Sequence, residues 1–168
     1  LRKPLKMPKG RKSQISRAKR EGVVVKELND HDDYCEFINL ENRVLSEHYG
    51  ATATHTGEEM ALLHSRFPEH IHLYAAIYEY TIIAGAIVYE YGQVIHLQYL
   101  AADDKAREIG ALDLVIAEAI EKYRPTKLWL DFGKSTEDDG RFLNEGLISQ
   151  KESFGGRTNV YETLEIIF

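Results

Sequence analysis

A strand, a short loop and the start of a helix follow one another between residues 96 and 112, and this arrangement suits the binding of an anion. Arg107 and Gly110 lie where the loop becomes the helix. The first N–H groups of a helix lack partners within it and lie at the positive end of its dipole, so they favour a pyrophosphate. A glycine lets the phosphate approach the main chain. The alternative is a helix that merely tolerates Gly110, at about 1 kcal/mol relative to alanine.

Polar side chains in the preceding strand could handle a proton. His96 and Gln98 are two residues apart, so strand alternation predicts that they share one face. Leu97 and Tyr99 are then expected on the other face. A histidine or carboxylate near a reacting amine can accept its proton, which makes His96 and Asp131 candidate bases. Alternatively, His96 is a hydrogen-bonded histidine of the core.

Other polar clusters do not match the spacing of known ligand sets. Cys35 is the single cysteine, so the chain has no internal disulfide and no zinc-cluster spacing. Three histidines have no carboxylate at ligand spacing in a recognisable motif, and are expected to be solvated or hydrogen-bonded: His64, His70 and His72. Residues 132–135 lack the first glycine of a phosphate-binding P-loop, and residues 137–140 lack the remaining ligands of a calcium loop. The sequence therefore predicts no metal site.

Hydrophobic periodicity predicts the elements that position these residues. Apolar residues at three- and four-residue spacing indicate helices, and β-branched runs with short connections indicate antiparallel strands. A helix is expected to begin near Asp30, and a second one to be opened by Thr56. The predicted order is strand 23–28, two helices ending at residue 66, strands 73–78, 83–90 and 94–100, a helix stopped by Pro125, a buried strand 128–132, a helix 144–154 and a closing strand 158–168.

Composition bounds the class of protein. The 168 residues are enough for one domain with a sizeable core, and 43% hydrophobic with 29% charged residues is typical of a globular chain. No apolar run approaches the roughly 20 residues that span a bilayer, and the first twenty residues lack the apolar stretch of a signal peptide. A cytoplasmic protein is expected. Because the chain begins with Leu1, we also expect a piece of something longer.

The charge is distributed unevenly. Residues 1–20 hold nine basic residues and no acid, whereas the chain as a whole carries −6. Such a basic arm can reach phosphates in RNA, in a nucleotide-linked substrate or at a membrane surface; alternatively it is a solvated leader or a docking surface. We expect a short basic helix capped by Ser13 and ended by Gly22. The predicted division is an arm over residues 1–22 and a domain over residues 23–168.

The order of elements resembles the GNAT acyltransferase fold. The pyrophosphate loop of that family reads Gln/Arg-x-x-Gly-x-Gly/Ala; here Arg107 and Gly110 match, while Leu112 stands at the last position. The resemblance implies a mixed α/β (α+β) domain with a mostly antiparallel central sheet flanked by helices. It also implies main-chain N–H groups that hold the donor carbonyl. The residues expected at the donor are Gln98, Tyr99, Leu100, Arg107, Glu108, Ile109, Gly110 and Ala111.

A second resemblance is more specific and concerns the C-terminal segment. Gly146-Leu147 begins a predicted helix that ends in Phe154-Gly155, which is similar to the closing signature of Fem-type peptidoglycan aminoacyl transferases. The basic stretch 12–25 also resembles a segment of that family. The family pattern places a lysine at Lys151, where a cation could stabilise a developing oxyanion or bind a donor phosphate. Alternatively, Lys151 is a surface lysine.

These resemblances imply an N-acyltransferase. The donor would be acetyl-CoA or another acyl-CoA, or aminoacyl-tRNA contacted through residues 1–20, with no metal involved. The acceptor would be an amine of a small molecule or of a cell-wall precursor. Fem-type proteins have two GNAT-like halves, so this chain would be the second half, lacking its N-terminal partner, or a homo-oligomer. The alternative is a non-catalytic binding module with the same fold.

Overall fold

The computed structural model describes residues 1, 7–162, 164 and 166. Six α-helices are present in this part of the chain: α1 (Lys9–Arg20), α2 (His31–Tyr49), α3 (Gly57–Arg66), α4 (Asp104–Ile109), α5 (Ala111–Tyr123) and α6 (Glu145–Ser153). Five strands form the main sheet: β1 (Val24–Leu28), β2 (Ile71–Tyr78), β3 (Thr81–Tyr91), β4 (Val94–Ala102) and β5 (Trp129–Asp131). A small hairpin, β6 (Thr136–Glu137) and β7 (Phe142–Leu143), precedes α6.

The sheet has the order β1-β2-β3-β4-β5. Its first four strands are antiparallel neighbours, and only β4 and β5 run parallel. The short turns after β2 and β3 leave no room for a crossover, which is why these strands form hairpins. The mixed, mostly antiparallel sheet predicted from the sequence is confirmed. None of the helices described is long and apolar enough to cross a membrane.

Helices cover both faces of the sheet and create two apolar clusters. One cluster joins α1, α4 and α5 to one face, and the other joins α2 and α3 to the opposite face. Capping boxes start α2 at Asp30 and α3 at Thr56, as expected from the sequence. At the start of α3, a Cβ on Gly57 would lie 2.5 Å from the Cα atom of Cys35. Glycine thus allows α3 to approach α2 closely.

Three expectations about the elements are wrong or fall partly outside the described residues. The first helix begins at Lys9 rather than after Ser13, because the Pro8 carbonyl already accepts the N–H of Lys12 at 3.2 Å. The strand at 129–131 is not buried: Trp129 is 62% exposed, since β5 forms the edge of the sheet. Of the predicted closing strand, residues 158–162, 164 and 166 belong to no helix or strand, and residues 163, 165, 167 and 168 lie outside the described residues.

The basic helix α1 packs against the domain. Its Ala18 is fully buried in the cluster around α5. The guanidinium of Arg11 pairs with the carboxylate of Asp113 in the first turn of α5 and donates to Ser153 Oγ at 2.6 Å. It also lies 4.4 Å from the centre of the Phe154 ring. One side chain therefore ties α1 to α5 and to the end of α6.

We expect Arg11→Met to lower the free energy of unfolding by about 3 kcal/mol, because Asp113 would be left largely buried without its cation. The matched variant Arg17→Met removes an exposed pair with Glu108 from the same helix and should cost less than about 1 kcal/mol. Urea unfolding of both variants measures the difference. Equal losses would show that Arg11 is no more important than a surface ion pair.

Candidate functional site

The pairing between β4 and β5 ends after three residues. Val94, Ile95 and His96 of β4 face Trp129, Leu130 and Asp131 of β5. From Leu97 to Ala102, β4 has no strand partner on this side within the described part of the chain. Free main-chain N–H and C=O groups on such an edge can bind an extended ligand as a strand would. We call residues 97–102 on this side the open β4 edge.

A β-bulge in β4 lies at the start of the open β4 edge. Tyr99 pairs with Ile87 and Leu97 with Val88, so Gln98 is the extra residue. A bulge shifts the alternation of side chains by one position. Leu97 accordingly packs in the cluster around α5, whereas Tyr99 packs in the cluster around α2. The prediction that Leu97 and Tyr99 share a face is therefore wrong.

His96 and Asp131 form the last pair before the open β4 edge. His96 Nδ1 lies 2.8 Å from Asp131 Oδ2, and the other carboxylate oxygen accepts the Gly133 N–H at 2.8 Å. The imidazole is 22% exposed and the carboxylate 48%. With the proton on Nδ1, the bond to Asp131 orients the ring and leaves Nε2 as a proton acceptor.

Lys151 lies beside the same segment. Its ammonium donates to the carbonyl oxygen of Gly133 at 3.0 Å and to that of Lys134. Burial lowers the pKa of Lys151, while the negative charge of Asp131 acts in the opposite direction. The three residues predicted to be catalytic, His96, Asp131 and Lys151, are thus brought together around residues 131–134.

The end of α6 holds Lys151 in this position. Phe154, 1% exposed, packs 6.0 Å from Phe132 between ring centres. The next two glycines turn the chain back, and Gly156 donates its N–H to the Lys151 carbonyl at 3.2 Å. A Cβ on Gly156 would lie 2.8 Å from that oxygen. The Phe-Gly signature seen in the sequence therefore anchors the helix that carries Lys151.

The residues predicted to hold donor phosphates lie in different surroundings. Arg107 is exposed and contacts His48 Nε2 at 2.9 Å. Gly110 is buried, and a Cβ there would lie 2.8 Å from the carbonyl oxygen of Gln14 in α1. Arg107 lies in α4 rather than in a loop, so the expected phosphate-binding loop is wrong: Gly110 alone separates α4 from α5. Glu108 pairs with Arg17, and Ile109 and Ala111 are fully buried. The Cα atom of Gly110 therefore packs directly against α1, and the Gly110 N–H already donates to the Ala106 carbonyl at 2.9 Å.

Sequence reasoning missed a buried acid on the α2 side of β4. Glu41 is 6% exposed, and its Oε2 has no hydrogen-bond partner in the part of the chain that the structure describes. Burial raises its pKa from 4.5 to about 7. The signal was present in the sequence, since Glu41 follows Phe37 by four residues and precedes Val44 by three on the apolar face of the helix.

Glu41 belongs to a polar group within the apolar cluster. Nearby, the Tyr99 hydroxyl forms a short hydrogen bond with Nδ1 of His55, a residue of the loop between α2 and α3. Burial is the main cause that raises the pKa of Tyr99, and the charge of Glu41 adds to it. Tyr99 follows the bulge residue directly. The open β4 edge therefore has titratable groups on the α2 side as well as at His96.

The raised pKa of Glu41 predicts a stability that depends on pH. Between pH 4.5 and about 7 the unfolded chain loses the Glu41 proton while the folded chain keeps it, so stability falls as the pH rises. The full loss is about 3 kcal/mol above pH 7. In Glu41→Gln this decline should be absent, which urea unfolding at pH 5 and pH 8 measures. The same pH difference in both proteins would contradict a proton held at Glu41.

Solved structures share this fold at low sequence identity. An aminoglycoside acetyltransferase from an uncultured soil metagenomic sample, in complex with sisomicin, superposes with a TM-score of 0.63 at 16% identity, covering 87% of this chain and 97% of that one. FemX gives a TM-score of 0.68 at 12% identity, and the matched region covers 89% of this chain but 54% of FemX. The ribosomal-protein-alanine N-acetyltransferase of Brucella melitensis biovar Abortus 2308 gives 0.57 at 17%, covering 88% and 99%.

Sequence comparison identifies the family. Among curated proteins, none matches this chain. The sequence model described as acetyltransferase (GNAT) domain matches residues 9–140, which is most of the chain and includes both α1 and the β4–β5 pair. The chain therefore belongs to the acetyltransferase (GNAT) domain family of acyltransferases.

Proposed function

We propose that this domain transfers an acyl group from an acyl-CoA thioester to an amine at the open β4 edge. The observation that carries the proposal is the end of the β4–β5 pairing at His96 and Asp131, which leaves an unpaired strand edge beside an oriented imidazole. An extended, amide-containing donor arm can bond to such an edge in the manner of a strand. Family membership supports the same class of reaction.

In the proposed step, the acceptor amine attacks the thioester carbonyl carbon. A C–N bond forms and the C–S bond breaks, and the thiolate leaves. Main-chain N–H groups between Gln98 and Leu100 hold the developing oxyanion. His96 Nε2 takes the proton that the amine loses and returns it to the thiolate, while Asp131 stabilises the imidazolium through Nδ1. Protons and electrons then balance without any further reactant.

Lys151 acts beside this pair. Two of its three N–H bonds are directed at the Gly133 and Lys134 carbonyls, so it positions the segment that follows Asp131. The third N–H remains to stabilise negative charge on the oxyanion or on the leaving group. Because burial lowers the pKa of Lys151, its proton is also easier to donate than that of an exposed lysine.

Charge pairing favours acyl-CoA over aminoacyl-tRNA as the donor. Of the six cations in α1, three pair with acids of the domain: Arg11 with Asp113, Arg17 with Glu108 and Lys19 with Glu118. Such pairs reduce the positive field that an RNA would meet. The exposed guanidinium of Arg107 can bind a donor phosphate, whereas the Gly110 N–H already donates to the Ala106 carbonyl.

The acceptor proposed is the amine of a small molecule or of a cell-wall precursor. Similar folds include an enzyme described as an aminoglycoside acetyltransferase, crystallised with sisomicin, and FemX. Since the matched region covers 54% of FemX, a second half or another copy of the chain would complete an acceptor cleft in the whole protein. A panel of primary amines with acetyl-CoA tests the acceptor class directly.

We expect His96→Ala and Lys151→Met each to lower kcat for acetyl transfer by about 10²-fold or more, because each removes a group that meets charge in the transition state. Release of the CoA thiol, followed with the best amine of the panel, measures the rate.

The matched controls are His70→Ala and Lys134→Met. His70 is exposed and forms a hydrogen bond with the Glu90 carbonyl. The Lys134 side chain is also exposed and lies in the segment that follows Asp131. Both controls should keep the activity of the unaltered protein. Unchanged turnover in His96→Ala would remove this histidine from the reaction, and a wild-type chain that binds acetyl-CoA without turnover would instead be the non-catalytic module.

A calorimetric titration with CoA tests the donor. We expect Arg107→Ala to weaken CoA binding by about tenfold, the effect of one exposed charge-assisted hydrogen bond. Arg66→Ala is the control, because it removes an arginine at the end of α3, far along the chain from Arg107. This variant should bind CoA as the wild type does. Equal affinity in all three proteins would place the donor phosphates elsewhere, and no CoA binding by the wild type would favour aminoacyl-tRNA.

A further inference from the structure

Three side chains with metal-binding atoms converge where the first turns of α2 and α3 meet. His31 Nε2 lies 2.6 Å from Glu58 Oε2. The thiol of Cys35 lies 4.0 Å from the same histidine nitrogen and 3.8 Å from the other oxygen of Glu58. All three ligand atoms are within 4.8 Å of one another. This group is separate from the open β4 edge and takes no part in the proposed reaction.

The fold holds these residues in place. His31 and Cys35 are four residues apart and share a face of α2. Glu58 lies in the first turn of α3, whose start is fixed by the Thr56 capping box. At Gly57 the two helices touch so closely that a Cβ would lie 2.5 Å from the Cys35 Cα atom. The ligand atoms are therefore brought together by packed helices rather than by a loop.

A second, independent feature is the carboxylate behind the histidine. Asp32 Oδ1 lies 3.0 Å from Nδ1 of His31, on the ring nitrogen opposite the one that faces Cys35 and Glu58. Histidines that bind metals commonly donate their other N–H to a carboxylate, which fixes the tautomer and makes the binding nitrogen more basic. An ordinary surface ion pair requires neither a neighbouring thiol nor a histidine with one ring nitrogen on a carboxylate and the other facing two further ligand atoms.

We propose that His31, Cys35 and Glu58 bind a zinc-type divalent cation, with water in the fourth position. Zinc bond lengths of about 2.0 to 2.3 Å at tetrahedral angles separate the ligand atoms by about 3.4 to 3.6 Å. The observed separations are 2.6 Å from His31 to Glu58 Oε2, 3.8 Å from Cys35 to Glu58 Oε1 and 4.0 Å from Cys35 to His31. They need changes of up to about 0.8 Å to reach this range. One nitrogen, one sulfur and one oxygen ligand also suit zinc or cobalt better than magnesium or calcium.

The fourth position faces solvent, since the side chains of His31 and Glu58 are 53% and 74% exposed. The cation would join α2 to α3 and so constrain the loop between them, which carries His55. Binding to the folded state alone raises the thermal midpoint. The sequence did not suggest this site, because Glu58 is 23 residues from Cys35 and no ligand motif links them.

Titration of the chain of residues 1–168 with Co²⁺, followed by competition with Zn²⁺, tests the proposal. We expect a thiolate-to-cobalt charge-transfer band in the near ultraviolet that Zn²⁺ abolishes. Cys35→Ser should remove the band, Glu58→Gln should weaken binding, and Asp32→Asn should lower the affinity about 10- to 100-fold by releasing the histidine.

Glu47→Gln is the matched control, because it removes an exposed carboxylate from the same helix outside the cluster. It should bind Co²⁺ as the wild type does, and circular dichroism checks that each variant is folded. The proposal is overturned if the wild type gives no charge-transfer band at micromolar Co²⁺, if the band persists in Cys35→Ser, or if Glu47→Gln weakens binding as much as Glu58→Gln does.

Discussion

The early end of the β4–β5 pairing is the constraint on which the candidate site depends. Three residue pairs align the strands, and the last of them places His96 against Asp131. Had the pairing continued, β5 would fill the open β4 edge, where the extended donor is proposed to bind. The bulge at Gln98 lies one residue beyond Leu97, where the edge opens, and turns Tyr99 toward α2. The β4–β5 pairing and its early end therefore place polar side chains from both faces of the sheet beside the open β4 edge.

The helix α1 links the stability of the domain to the segment around Gly110, where the donor phosphates are proposed to bind. Arg11 joins α1, α5 and the end of α6, and α1 also covers the main chain at Gly110. Asp113 supplies the negative charge that the start of α5 favours, and a donor phosphate would compete with it there. The contacts that hold the basic segment on the domain thus lie at the start of α5.

The α2–α3 side of the sheet carries polar groups that are costly to bury. Glu41 lies in the apolar cluster without a partner for Oε2 among the described residues, and the His55 to Tyr99 hydrogen bond crosses from the connecting loop to β4. Burial raises the pKa of Glu41 to about 7, and titratable groups shifted in this way are more typical of functional sites than of cores. The cluster at His31 lies on the same pair of helices, so a bound cation there would stiffen the layer that covers this face.

Hydrophobic periodicity and capping residues determined most of the elements, because these signals act over a few neighbouring residues. They yielded the antiparallel strands, the starts of α2 and α3, and the helix of Lys151, and the resemblance to GNAT proteins followed from their order. Sequence patterns failed where distant segments determine the structure. The exposure of the edge strand at Trp129, and the face of the sheet on which Tyr99 lies, both depend on neighbouring strands. Only the tertiary structure brought Lys151 to His96 and Asp131, covered Gly110 with α1, and joined Glu58 to His31, because each of these contacts links residues that are far apart in the chain.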